Sequence, residues 1–188
     1  VHIKDPISRT YDGTTTVDAN AVILDVTQGK LFGNDVLDDS AEIYQFENPN
    51  AGSDKQINAT QDKIYVSGVN GNDNYDVTFI AEGKHKITQA DLVLGVKDNY
   101  SRTYNGTTDA SGATLELLNN TQLFGNDSIT NLSQHFNHSD VDSANQITVS
   151  NAVINKTNAI QNYNIQYVAN TTAKITPKAL NITGMTAT

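Results

Sequence analysis

Tyr75-Asp76-Val77-Thr78-Phe79 sets an apolar side chain at every second position, and Tyr163-Asn164-Ile165-Gln166-Tyr167 does so again. Successive side chains of a strand point to opposite faces, so this alternation predicts half-buried β-strands. Ile64-Tyr65-Val66 and Ile147-Thr148-Val149 extend the reading, because Gly, Asn and Asp clusters that supply turns bound each run. Helical spacing is poorly represented. Ala19 to Thr27 is a weak candidate helix, but it reads equally well as a β-branched strand. Its counterpart Ala113-Thr114-Leu115-Glu116-Leu117-Leu118 alternates and favours the strand. Short strands with no helix between them predict an all-β chain.

Working outward, the chain says the same thing twice. Ser8-Arg9-Thr10-Tyr11-Asp12-Gly13-Thr14-Thr15 returns as Ser101-Arg102-Thr103-Tyr104-Asn105-Gly106-Thr107-Thr108, and Leu31-Phe32-Gly33-Asn34-Asp35 returns unchanged at 123–127. Lys86-Ile87-Thr88 returns as Lys174-Ile175-Thr176. A period of roughly 90 residues is a whole domain, longer than one unit of a solenoid. The expected organisation is one domain over 1–91, a second over 92–180, and a tail or start of a further repeat over 181–188. Each is expected to be a compact antiparallel β-domain, an immunoglobulin-like sandwich rather than a β-grasp, with the two arranged end to end. Periodicity does not encode strand order, so it does not separate those two folds. The expected core of the first domain is Tyr11, Leu24, Phe32, Phe46, Ile57, Val66, Tyr75, Val77, Phe79, Ile87 and Leu92, with matching residues in the second.

Of the 188 residues none is cysteine, which excludes disulfides and thiolate metal sites. The net charge of −9 argues against nucleic acid, whose phosphates call for clustered Lys and Arg. No apolar run approaches the roughly 20 residues of a membrane helix. The acidity is uneven: residues 1–92 hold 15 acidic and 7 basic side chains, residues 93–188 only 6 and 5. The copies therefore share a fold but not a surface. Val1 in place of a starting Met suggests a slice of a longer chain. The junction Lys86-Ile87-Thr88-Gln89-Ala90-Asp91-Leu92 lacks a flexible linker and predicts a short, stiff connection. It reappears from Lys174 to Leu180, where a third copy would begin.

The same residues carry a family resemblance. Arg9 to Thr15, Phe46-Glu47-Asn48-Pro49-Asn50-Ala51-Gly52-Ser53-Asp54-Lys55, the Gly71 to Tyr75 turn and Ile175-Thr176-Pro177-Lys178-Ala179-Leu180 resemble the YDG repeats of bacterial surface adhesins of the haemagglutinin type. The resemblance covers nearly the whole chain. It departs at Asn105, which stands for Asp12, and at His138-Ser139-Asp140-Val141-Asp142, where the family pattern favours an Asn-x-Gly turn. It implies an extracellular stalk or spacer at the bacterial surface.

Candidate sites are weighed against structural roles. Tyr11-Asp12-Gly13 and Tyr104-Asn105-Gly106 read as tight turns, Gly supplying positive φ and Tyr anchoring one end in the core. Asp and Asn are interchangeable as turn formers but not as charges, which speaks against a ligand site. Calcium near Asp35, Asp38, Asp39 and Glu42 is a weaker reading, since the second copy offers only Asp127 followed by Ser128-Ile129-Thr130-Asn131. Asn70-Gly71-Asn72-Asp73-Asn74 is oxygen-rich, but Lys156-Thr157-Asn158-Ala159 replaces it, so a turn is favoured. His135 and His138 are three apart, a spacing that does not aim both rings at one point on a strand. A Lys–Asn side-chain cross-link needs a buried Lys, an Asn and a nearby acid, and Lys63 and Lys86 are the strand-edge candidates. Asn58-Ala59-Thr60 and Asn170-Thr171-Thr172 are glycosylation triplets of the kind chance supplies in an Asn- and Thr-rich chain.

No nucleophile elbow or recurring carboxylate pair is present, so neither catalysis nor a cofactor is expected. The expected function is a structural spacer projecting a distal binding region. It would be monomeric, with neighbouring repeats of its own chain as partners. The alternative is an adhesive module holding a host glycan or protein through its loops, which would call for exposed aromatic side chains.

Overall fold

The computed structural model describes residues 1–67, 74–155, 159–181, 183 and 184. The chain is all-β, built of small two- and three-stranded sheets that do not close into a barrel. It divides into two compact units, Val1–Ala90 with Gln161–Tyr163, and Asp91–Ile160 with Asn164–Thr188.

In the first unit, β1 (His2–Ile3) pairs antiparallel with β3 (Leu24–Asp25). The Ala19 to Thr27 segment is not a helix. A single 3₁₀ turn covers Ala19–Ala21, capped by Asp18, whose Oδ1 accepts the Asn20 N–H at 3.0 Å. An Asp that bonds its own turn satisfies that turn but does not propagate a helix. The second strand, β2 (Ser8–Thr10), lies parallel to β9 (His85–Thr88), with Arg9 opposite Ile87. On its other side β9 takes β6 (Gly52–Lys55) antiparallel. Two further antiparallel pairs complete the unit: β4 (Val36–Asp38) with β8 (Tyr65–Ser67), and β5 (Tyr44–Phe46) with β7 (Ile57–Ala59).

The second unit repeats this plan with longer strands. β11 (Ser101–Thr103) lies parallel to β16 (Lys174–Thr176), with Arg102 opposite Ile175 in the register of the first unit. β10 (Ala90–Val96) runs between β12 (Leu115–Leu118) and β15 (Tyr163–Tyr167). Gly95 permits that fit: a Cβ there would meet Leu118 Cδ1 at 2.7 Å and the Val168 carbonyl oxygen at 3.3 Å. β13 (Ile129–Phe136) and β14 (Ile147–Ile154) form one continuous hairpin with register shifts. In the first unit the same ground is split between two short pairs, β4–β8 and β5–β7, because loops 39–43 and 60–64 face one another between them.

The core follows the alternation, with corrections. Tyr11, Phe46, Ile57, Val66, Ile87 and Leu92 are buried as expected. Each such side chain contributes about 1.5–3 kcal/mol by leaving water. Leu24, Tyr75, Val77 and Phe79 are only half-buried. Residues 75–80 alternate in exposure yet form no named strand, whereas Tyr163–Tyr167 does. In the first unit that segment is held instead by the Val1 nitrogen donating to the Thr78 carbonyl (2.6 Å) and by the Ile80 N–H on the Val1 carbonyl (2.8 Å). Phe32 is not core: it is 61% exposed, and the Lys30 ammonium lies 4.7 Å from its ring centre. Phe32 opens a turn closed by the Asp35 N–H on its carbonyl (3.1 Å), with Gly33 at φ 60°, and so stands at the surface. The recurrence at Phe124 has the same turn, Asp127 to Phe124 at 3.1 Å with Gly125 at φ 59°, and there the ring is half-buried.

Candidate functional site

The twin turns are the most developed polar constellations of the chain. Each begins where an arginine leaves the parallel strand. In the first unit Asp12 Oδ1 accepts the Thr14 N–H (2.8 Å) and the Thr14 hydroxyl (2.8 Å), while Arg9 Nη1 stands 2.5 Å away. Arg9 also donates to the Thr10 and Thr14 carbonyls, and its guanidinium lies over the Phe46 ring at 5.2 Å. Gly13 takes φ 80°, a conformation costly for any residue with a Cβ. Partial burial works to raise the Asp12 carboxyl, but the Thr14 amide, the Thr14 hydroxyl and Arg9 outweigh it and hold the group below its ordinary value.

The second unit builds the same device around a neutral amide. Asn105 Oδ1 accepts the Thr107 N–H (3.1 Å), the Thr107 hydroxyl (2.9 Å) and Arg102 Nη1 (2.7 Å). Arg102 Nη2 donates to the Thr107 carbonyl (2.5 Å), its guanidinium lies 5.3 Å from the Phe136 ring centre, and Gly106 again has φ 80°. Every role of the side-chain oxygen survives the loss of charge. The arrangement locks a loop onto an aromatic ring, with the same side-chain oxygen serving the turn in both copies. The tyrosines differ. Tyr11 is buried, edge-on to Tyr163 at 5.4 Å within the first unit, whereas Tyr104 is 37% exposed, its hydroxyl 4.0 Å from where a Gly106 Cβ would sit. The expected core anchor holds for Tyr11 and fails for Tyr104.

The acidic group of the first unit is dispersed. Asp35 Oδ2 accepts the Tyr75 hydroxyl (2.9 Å), Asp38 Oδ1 the Ser40 N–H (3.1 Å), and Asp39 Oδ2 the Tyr44 hydroxyl (2.8 Å). Burial, followed by the Asp39 carboxylate, pushes the Tyr44 phenol well above its ordinary value. Glu42 is buried and accepts four backbone N–H groups, which overcome the upward push of burial and keep its carboxyl below the usual range. Among the described residues no three His, Asp or Glu side chains gather into a metal cage. His135 on β13 and His138 beyond it are both exposed. Residues 70–73 and 156–158, which carry most of the oxygen-rich loop and its replacement, lie outside the described residues.

Lys63 and Lys86, the cross-link candidates, are exposed; the buried lysine is Lys55, 6% exposed and on β6. A cleft of ≈ 550 Å³ in the first unit is lined by Val26, Lys30, Phe32, Leu37, Tyr75 and Asp76 among others. Its rim holds the exposed aromatic Phe32, which sequence reasoning had assigned to the core. The Tyr75 hydroxyl accepts the Phe32 N–H (2.9 Å) and fixes that rim. No helix among the described residues is long and apolar enough to cross a membrane.

Comparison with known families and proteins gives one match. The family described as YDG domain matches residues 1–82 and again residues 88–174. No curated protein and no solved structure matches the chain.

Proposed function

The chain belongs to the YDG domain family, and from that premise we propose that it is a structural spacer, two repeats of the stalk of a bacterial cell-surface adhesin. On this reading it lies outside the cell, takes neighbouring repeats of its own chain as partners, is monomeric and carries no catalytic role. The observation that carries the proposal is what recurs. The arginine-locked turn and the parallel register, Arg9 to Ile87 and Arg102 to Ile175, are the same in both copies. The charge and the loops are not. A repeated receptor site needs its surface twice, whereas a repeated building block needs only its scaffold. Gln89 alone separates β9 from β10, a connection as short as a spacer of this kind calls for. Small-angle scattering tests this: an extended two-domain rod is expected, and a compact or broadly bent ensemble counts decisively against it.

Phe32 favours a second reading, in which the first unit holds a host glycan or protein. An exposed aromatic ring beside Lys30 and above an open cleft is suited to stacking against an apolar face. A glycan and mucin array probes it, with Phe32→Ala as the control. A saturable signal that this variant loses would replace the spacer reading for the first unit.

A further inference from the structure

We propose that Lys55 and Asn48 of the first unit become joined by a side-chain amide bond, with Glu47 carrying the proton. Lys55 Nζ stands 2.5 Å from Asn48 Oδ1 and 3.5 Å from Glu47 Oε1, so an amide, not a carboxylate, is the nearest partner of a buried amine. A lysine retained for a salt bridge would seat its carboxylate first.

The backbone is shaped to deliver that amine. Gly52 pairs with Ile87 and Lys55 with His85, so β6 carries one residue more than β9 over this span, a β-bulge. Asp54 absorbs the extra residue at φ 57°. Bulges re-aim the side chain that follows them, and here Lys55 is turned inward. Gly83 gives the bulge room, since a Cβ there would come within 3.0 Å of the Asp54 carbonyl oxygen. The lysine stem passes beside Gly52, its Cδ 3.7 Å from where a Cβ would be, an ordinary contact distance. Asn48 is fixed from the other side, its Oδ1 accepting the Asn50 N–H at 3.1 Å.

The chemistry balances without a further reactant. Glu47 takes a proton from the Lys55 ammonium, and the neutral Nζ attacks Asn48 Cγ. The new C–N bond forms as the original one breaks. Glu47 returns its proton to the departing nitrogen, which leaves as ammonia and carries off the lysine's charge as ammonium. Pro49 blocks the common competing reaction. Asparagine loses ammonia by succinimide closure through the next residue's N–H, and proline has none.

The second unit lacks the parts. The Asn137 N–H donates to the Gln146 carbonyl (2.9 Å) as that of Glu47 donates to Gln56 (3.0 Å), which sets the correspondence. Asn145 then takes the lysine's place and His138 that of Asn48, and the Asn137 amide simply donates to Asn145 Oδ1 at 2.9 Å. The corresponding place in the second unit therefore holds no lysine to form this bond.

Intact mass spectrometry of the purified protein tests this independently of any spacer role, because it does not depend on molecular shape. The expected mass is that of the sequence less one ammonia, restored in full by Lys55→Arg, Asn48→Ala and Glu47→Ala. A tryptic digest should yield residues 31–63 as one peptide, uncut after Lys55, closed into an internal loop between positions 48 and 55 and lighter than its sequence by one ammonia. Full sequence mass with normal cleavage after Lys55 overturns the proposal. So does an ammonia loss that persists in Lys55→Arg, as succinimide formation at Asn105-Gly106 would produce.

Discussion

Glu42 Oε2 accepts the backbone N–H of Lys63 at 2.7 Å, across the gap where the hairpin of the first unit is interrupted. Oε1 accepts the N–H groups of Thr60 (2.7 Å), Gln61 (2.7 Å) and Ile43 (2.9 Å). Between loops 39–43 and 60–64, where the Thr60 N–H also reaches the Ile43 carbonyl (3.0 Å), this one carboxylate thus supplements the sparse ladder. Glu42→Gln exchanges an acceptor oxygen for an N–H₂ group facing N–H donors. It should destabilise the first unit by about 2–3 kcal/mol, since hydrogen bonds to charged groups are worth about that much. Urea unfolding of wild type and variant measures it, and equal midpoints would refute the role.

The sign with pH follows from the same bonds. The folded Glu42 carboxyl lies below its ordinary value of 4.5. Its contribution is therefore complete above that value and is lost as pH falls through the lower folded one. Between pH 5 and pH 3 the wild-type midpoint should fall more steeply than that of Glu42→Gln, which has no proton to take up at this position.

Much of this was legible because the copies annotate one another. Asp12 against Asn105 revealed a turn former whose charge is dispensable, and the recurrent Ser-Arg-Thr and Lys-Ile-Thr prove to be the parallel pair of each unit. That these two segments pair, and in parallel, is absent from the sequence, because periodicity gives a strand's faces and not its neighbours. Glu42 reads in the sequence as a calcium candidate and not as a backbone acceptor, because three of its four partners are backbone N–H groups 18 residues and more away, which carry no sequence signature. Alternation with Tyr44 and Phe46 was the available signal, since it puts Glu42 on the inward face. Lys55 was missed because a bulge breaks the two-residue count just before it. Phe32 was misplaced because an apolar residue ahead of a turn was read as core.

His85 should make the first unit acid-sensitive in a milder range. It is 2% exposed, and its Nδ1 accepts the Ile7 N–H at 3.0 Å, so it must stay unprotonated there. Burial, reinforced by the Lys84 charge and opposed by Glu82, lowers its affinity for a proton below the ordinary 6.5. A lowered histidine pKa means that stability is full above the unfolded value and declines as pH drops beneath it. Histidine NMR titration should show the His85 ring taking up its proton only below the ordinary 6.5. The unfolding midpoint should begin to fall near pH 6.5, and a ring titrating at 6.5 or above would exclude this account.

The arginine turns predict a charge-blind pattern. Asp12→Asn should change stability by less than about 0.5 kcal/mol, because the carboxylate is partly exposed and an amide oxygen serves the same donors. Asn105→Asp should be equally mild. Arg9→Ala and Arg102→Ala should each cost about 1–2 kcal/mol, from lost carbonyl bonds and the cation resting on Phe46 or Phe136. Thermal melts of the four variants decide it: a large loss in Asp12→Asn would make the ion pair, not the turn, the stabilising element.

Gly95 tests whether the second unit depends on backbone proximity. Its place in β10 is crowded from two sides, by a movable Leu118 methyl and by the Val168 carbonyl oxygen. That oxygen also accepts no slack from the ladder, since the Val168 N–H is tied to the Leu94 carbonyl at 2.8 Å. Leu118 can rotate away from a new methyl group, but β15 can retreat only by stretching that bond. Gly95→Ala should therefore cost about 1–3 kcal/mol, the usual range for overpacking, and Gly95→Val should cost more. Hydrogen exchange locates the damage: the Val168 amide should lose protection first, while the amides of β13 and β14 keep theirs. An unchanged Val168 rate in Gly95→Ala would mean that Leu118 alone absorbs the methyl.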